Sequence, residues 1–343
     1  MFTSSRAKSL LAVSLATTAL FALSSCASTT ETLPATTVPS ATRPILISAE
    51  NFELPVIGSG TSQLPATVQS ADDVAVTIVD SSRIIVLNEA IAEIVIALGF
   101  IDNIIGRDAT TTLDALTAVP KVSSGHDISA ESVLALNPTL VIGDTRSGPP
   151  EAIQQLRGAG LAIVLAPEVW QLKDVAPRIE LIAAALGAQD FGKQLITKTQ
   201  NDIDEALKTL DKSTAAPRVA FIYVRGTASV FLLGGKESGA DEMIRSAGGI
   251  DVGSDLGLAP FTPLTSEAIV NANPDIIVVT TRGLASVGGI DGLLELPGIA
   301  QTPAAMNRAV VSIDDDLLFS FGPRTGELIV QMSQAFKTLT TKN

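Results

Sequence analysis

The chain has 343 residues, 36 acidic against 23 basic, for a formal net charge of −13 at neutral pH. So acidic a balance argues against nucleic acid and against electrostatic adsorption to anionic lipid. One cysteine and one histidine exclude a disulfide framework and a Cys/His zinc site, so core packing must hold the fold together.

At the amino terminus Arg6 and Lys8 precede "SLLAVSLATTALFAL" and then small residues. That order of charge, length and small residues predicts a secretory signal over 1–25 rather than a membrane span. The run ends in "LSSC", and Leu23, Ser24, Ser25 and Cys26 resemble the bacterial lipoprotein box. The resemblance implies that Cys26 is lipidated and becomes the new amino terminus; an ordinary signal peptide containing a cysteine is the competing reading. Loss of the signal removes two basic residues, leaving 36 acidic against 21 basic, or −15. Residues 26–75 read as lipid anchor and flexible tether, because "ASTTETLPATTVPSATRP" has almost no large apolar side chain to offset chain entropy. The expected location is the extracytoplasmic face of the cell membrane, with attachment through the lipid alone and a monomeric state.

Residues 76–170 read as a first α/β lobe. "RIIVL" (83–87) predicts a strand, and "NEAIAEIVIALG" follows with Ile91, Ile94, Val95 and Leu98 at helical spacing. "TLVIGD" (139–144) and "LAIVLAP" (161–167) are further strands, separated by "PPEAIQQLRGAG", a helix that starts at proline and stops at glycine. Residues 171–212 carry apolar side chains at three- and four-residue steps. They predict one long interlobe helix, kinked at Gly187, or two abutting helices. A helical connection predicts lobes that hinge little.

Residues 213–343 repeat the theme with strands at "RVAFIYV" (218–224), "DIIVVT" (275–280) and "AVVSID" (309–314). "ESVLALNPTLVI" from Glu131 and "EAIVNANPDIIV" from Glu267 match at the same offsets, which points to two related lobes. Alternating strands and helices imply parallel sheets covered on both faces. The expected class is α/β: two Rossmann-like lobes with central parallel sheets joined by one long helix. "LLGGKESG" (232–239) is neither a Walker motif nor a dinucleotide fingerprint and reads as a strand-to-helix turn. With one histidine and no GxSxG elbow, nothing in the chain forms a recognisable catalytic pattern, so no enzymatic activity is expected.

"RIIVLNEAIAEIVIALG", "LALNPTLVI", "NANPDIIVV" and the late "FGPR", in a layout of anchor, tether, lobe, helix and lobe, resemble a known family. It is the helical-backbone class of substrate-binding proteins that feed ATP-driven importers of haem, cobalamin and ferric siderophores. The resemblance spans the chain from about residue 80 onward. It implies a cargo-binding cleft between lobes and permease subunits as partners. Glutamates at the positions of Glu131 and Glu267 pair, in this class, with arginines of those subunits. By residue alone, each glutamate also serves simply as a first-turn charge favoured by the helix dipole.

His126, in "SSGHDIS", and Tyr223, in "FIYVRG", each occur once, one per lobe. Ligands of open α/β sheets bind outside the carboxyl ends of strands, and Tyr223 stands at such an end. His126 sits in a loop of the other lobe, so both open on the groove. "GHD" with "YVR" is similar to haem-binding members of the class from actinobacteria, which implies haem as cargo with His126 and Tyr223 as axial ligands of the iron. Ferric iron takes phenolate well and imidazole is a common axial ligand. Arg225, two residues along an extended strand and on the same side, is positioned to favour the phenolate, and the resemblance implies that role. Taken singly, His126 reads as a polar surface residue, Tyr223 as core and Arg225 as a strand-end charge. Arg107, Arg146, Arg282 and Arg324 remain open as partners of the haem propionates, and Trp170 reads as interlobe packing. A ferric siderophore or cobalamin is the alternative cargo.

Overall fold

The computed structural model describes residues 44–125, 127–210 and 215–341. The expected signal sequence, Cys26 and His126 lie outside the described residues.

Strand β1 (Ile45–Ile47) comes first, followed by a hairpin of β2 (Ala66–Gln69) and β3 (Ala75–Ile78). These elements correct the expected tether, which was drawn to residue 75. Low-complexity sequence ends at Pro44, and the "ILISAENFELPVIG" that follows buries Ile47 and Phe52. A three-residue strand whose partner lies far along the chain leaves no periodicity to read.

The amino-terminal lobe continues with β4 (Ile84–Val86), α1 (Glu89–Ala97), β5 (Ile104–Arg107) and a short hairpin of β6 (Ser123–Ser124) and β7 (Asp127–Ile128). Then come α2 (Ala130–Ala135), β8 (Leu140–Asp144), α3 (Pro150–Gly158) and β9 (Ala162–Ala166). The sheet is parallel in the order β5–β4–β8–β9, as an alternating pattern requires. Asn88 caps α1, its carboxamide oxygen accepting from the amides of Ala90 and Ile91.

Of the two forms expected for the connection, one long helix or two abutting ones, the second holds: α4 (Val175–Ala185) and α5 (Gln189–Lys208) pack against each other. The break is at Gly187, whose φ of +65° is left-handed and whose Cα lies so close to Gln63 that a Cβ would stand 2.5 Å from its carbonyl oxygen. The first helix packs on the amino-terminal lobe, and the second packs on the carboxyl-terminal helix Thr325–Thr340.

The second lobe holds β10 (Arg218–Arg225), β11 (Val230–Gly234), β12 (Ile250–Asp251), β13 (Phe261–Pro263), β14 (Ile276–Thr280) and β15 (Val310–Ile313). The order is β1–β15–β14–β10–β11–β13, with β12 beside β10; β11 runs antiparallel to both of its neighbours, β10 and β13, and the other pairings are parallel. The internal repeat survives in detail. Ser129 caps α2 by accepting from Ser132 N–H, and Thr265 caps the helix Ser266–Ala272 by accepting from Ala268 N–H. Asn137 and Asn273 end these helices at φ +47° and +46°. Arg83, just before β4, donates to the carbonyls of Leu136 and Asn137 that close α2, and Arg218, opening β10, donates to the Ala272 carbonyl that ends the other helix.

The lobes share a core. One cluster runs from Ile84, Ile91 and Ile142 through Ile182 and Leu195 to Val219, Phe221 and Ile329. Within it Glu93 is fully buried on α1 and accepts from Arg324 Nη2. Ser320 Oγ donates to the same carboxylate at 3.4 Å, and Arg178 Nη1 donates to the Ser320 carbonyl at 3.0 Å. Gly322 leaves room for this: a Cβ there would stand 2.8 Å from Glu93 Oε2. The late "FGPR" is therefore an interlobe lock.

Arg324→Met, which leaves Glu93 buried without its cation, is expected to cost about 3–5 kcal/mol of unfolding free energy in urea melts. Adding Glu93→Met should recover a large part of that loss, because the uncompensated charge is then gone; no recovery would mean that the pair is not what the first substitution breaks.

Candidate ligand-binding cleft

A cleft of about 810 Å³ lies between the lobes. Asn88, Glu89, Thr110, Arg146 and Trp170 border it from the first lobe, and Tyr223, Arg225, Phe261, Arg282, Asp316 and Phe319 from the second. Tyr223 reaches it from the carboxyl end of β10, the position that open α/β sheets reserve for ligand contacts. Cross-strand pairing of Tyr223 with Leu232 and of Arg225 with Val230 fixes both on one side of the strand.

The Tyr223 ring meets the edge of Phe261, with centroids 6.0 Å apart at 69°. The Arg225 guanidinium stands over the same ring, 5.7 Å from its centre. Among the described residues the phenol oxygen makes no hydrogen bond, so it is open to a ligand, and Arg225 touches the ring rather than that oxygen. On the opposite wall the Arg146 guanidinium stacks over Trp170 at 5.1 Å. Trp170 Nε1 donates to Glu168 at 3.1 Å, and its ring edges onto Phe319 at 6.4 Å, so it also joins the lobes.

The described residues beside His126 form a pair, Ser124 opposite Asp127. Ile128 N–H donates to the Gly148 carbonyl at 2.6 Å, tying this hairpin to the loop that carries Arg146. Of the four arginines left open above, Arg107 is buried and donates to the carbonyls of Leu116 and Thr111, and Arg324 is committed to Glu93. Only Arg146 and Arg282 of that set reach the cleft. Glu131 and Glu267 are outside it, exposed at equivalent places on the two lobes.

The sequence reading missed the cleft floor. Thr112 donates through its amide to Glu89 (2.6 Å) and through its hydroxyl to Asp316 (2.7 Å), joining a carboxyl group from each lobe. Arg282 donates to Asp316 at 3.1 Å, and its Nε lies 3.4 Å from Asp315. Burial, then the nearby Asp316 carboxylate, pushes the Glu89 carboxyl up to about 8. Burial also raises Asp316 and Glu93. The signal available was two glutamates four apart inside an otherwise apolar helix, "NEAIAEIVIALG".

Aromatic rings on two walls of a cleft between α/β lobes are the layout of a ligand-binding site. The periplasmic binding protein family model matches residues 84–317, more than half of the chain, and the chain belongs to that family. It is 29% identical to the uncharacterised ABC transporter substrate-binding lipoprotein YvrC of Bacillus subtilis, over 82% of this chain and 88% of that one. It is 23% identical to the vitamin B12-binding protein of Vibrio parahaemolyticus, over 76% of this chain and 91% of the other. The crystal structure of the haem-binding protein HmuT superposes with a TM-score of 0.79 at 35% identity, covering 86% of this chain and 97% of that one. Solved HmuT variants replace a histidine, a tyrosine and an arginine.

Glu89 has an ordinary carboxyl pKa of 4.5 and rises to about 8 in the fold, so the folded state holds a proton that the unfolded chain has released. Its contribution is fully present below about pH 4.5 and is lost as pH climbs toward about 8. Melting temperature should fall across that window, and Glu89→Gln should flatten the fall. An unchanged slope in the variant would show that other groups carry it.

Proposed function

We propose that the protein is an extracytoplasmic haem-binding lipoprotein that captures haem between its lobes and delivers it to an ABC-type importer for iron acquisition. The observation that carries this reading is Tyr223 at the end of β10, lining the cleft with its phenol oxygen unbonded among the described residues and Arg225 against its ring. The likeness to HmuT supports it, and the tyrosine and arginine replaced in the solved variants are two positions apart, as Tyr223 and Arg225 are. Tyr223 supplies the ligand from the second lobe and His126 the one from the first. Arg225, beside the phenol, favours the charged phenolate that ferric iron prefers.

The relative named for vitamin B12 favours a second reading, cobalamin as cargo. The spectra separate the two. Haemin added to the protein should give a ligated ferric haem spectrum that excess cyanocobalamin does not displace. Tyr223→Phe should remove the phenolate-to-iron charge-transfer band and weaken binding most. His126→Ala should shift the iron toward high spin. Arg225→Ala should cost roughly 10–100-fold in affinity, the usual effect of losing a group that supports a metal ligand, and more as pH falls. Parent-like spectra and affinities in both ligand variants would end the axial-ligand assignment.

Glu131 and Glu267, one per lobe and exposed, serve as the docking contacts for the permease subunits. Changing both to Arg should abolish uptake and leave haem affinity intact; lost haem binding would put them to another use. Cys26 carries the lipid, in keeping with the lipoprotein name of YvrC. Cys26→Ala should leave an unprocessed chain that no longer enters the detergent phase as an acylated protein.

A further inference from the structure

Three arginines border the cleft, and they are committed to different degrees. Arg282 donates to Asp316 and lies against Asp315. Arg225 covers the ring of Tyr223. Arg146 is held firmly yet spends none of its side-chain donors on a hydrogen bond among the described residues. Its Nε is 3.8 Å from Glu168 and its Nη2 is 3.9 Å from Asp144, both beyond hydrogen-bond reach.

What holds it is a built support. The Arg146 amide donates to Asp144 Oδ1 at 3.0 Å, Ser147 Oγ donates to the same oxygen at 3.3 Å while accepting from the Asp144 amide at 3.0 Å, and Asn88 Nδ2 donates to Asp144 Oδ2 at 3.0 Å. The guanidinium then lies on the Trp170 ring, which is fixed by Glu168 and Phe319 and backed by Gly239, where a Cβ would come 2.8 Å from the indole. The two flanking carboxylates do not cancel Arg146 alone, because the buried guanidinium of Arg178 feels both of them. Four charges thus balance, with the Arg146 fork left at the half-exposed rim. The floor opposite holds Glu89, which keeps its proton at neutral pH, with Asp315 and Asp316 against Arg282, so it offers a carboxylate no free cation.

We propose that Arg146, on its Trp170 platform, is the anchor for a carboxylate of the ligand, so that the cleft selects ligands carrying that group and turns it toward the rim. With haem as cargo, the group is a propionate; the inference rests on that reading. An arginine fork suits a carboxylate, and its preset orientation reduces the ordering cost of the contact.

Haemin and its dimethyl ester share iron and ring and differ only in the carboxylates, so titrating both separates the anchor from the axial ligands. The purified full-length parent should bind haemin roughly tenfold or more tightly than the ester, the usual value of hydrogen bonds to a charged group. Arg146→Ala should lose that advantage for haemin, keep the parent's affinity for the ester, and keep the parent's haem spectrum and melting temperature. Arg146→Lys should recover part of it. Equal losses for both ligands, or no loss for haemin, would overturn the proposal. Tyr223→Phe should weaken both ligands alike, and a parent that binds neither would defeat the haem reading itself.

Discussion

The buried pair of Glu93 and Arg324 is the constraint on which the rest depends. It joins the first helix of one lobe to the start of the last helix of the other, inside a core common to both lobes. A carboxylate removed from water is stabilised only by a partner and further hydrogen bonds in good geometry, which Arg324 and Ser320 supply. Separating the lobes would expose part of that core and leave both charges unpaired. The cleft above it is for that reason a preformed space, and its selectivity must come from where the side chains already stand.

The fold was largely legible because its signals are local. Strand runs such as "TLVIGD" and "DIIVVT" and the caps around "LNP" and "ANP" carry their own stop and start chemistry, and their duplication announced two lobes. What was not legible depended on distant partners. β1 is three residues long and exists because β15 offers it an edge. The break in the connecting helix comes from Gly187 meeting Gln63, a contact between segments far apart in sequence.

The site divides in the same way. Tyr223 and Arg225 could be placed because strand ends in such sheets face the ligand and alternate residues share a side. Arg107 and Arg324 could not be told from Arg146 and Arg282, since a sequence shows four cations alike and only the fold shows which are consumed by buried partners. Glu89 was hidden for a related reason. Read as a helix-start charge it is ordinary; its raised proton affinity exists only because Thr112 and Asp316 of a different segment and a different lobe close over it.

These features impose a polarity on the cleft. Acidic groups with Arg282 lie at its floor and the Arg146 fork at its exposed rim, while Trp170, Phe261 and Tyr223 supply flat apolar contact between them. A ligand that is planar and apolar through its middle, with anionic groups on one edge, matches all three zones in a single orientation. A neutral or cationic ligand would leave the Arg146 fork without a hydrogen-bond partner. A ligand with anions on every side would have to press one of them into a floor that has no free cation to receive it. In a cleft whose lobes share one core, that mismatch cannot be relieved by opening, so the arrangement of charge discriminates as strongly as the shape does.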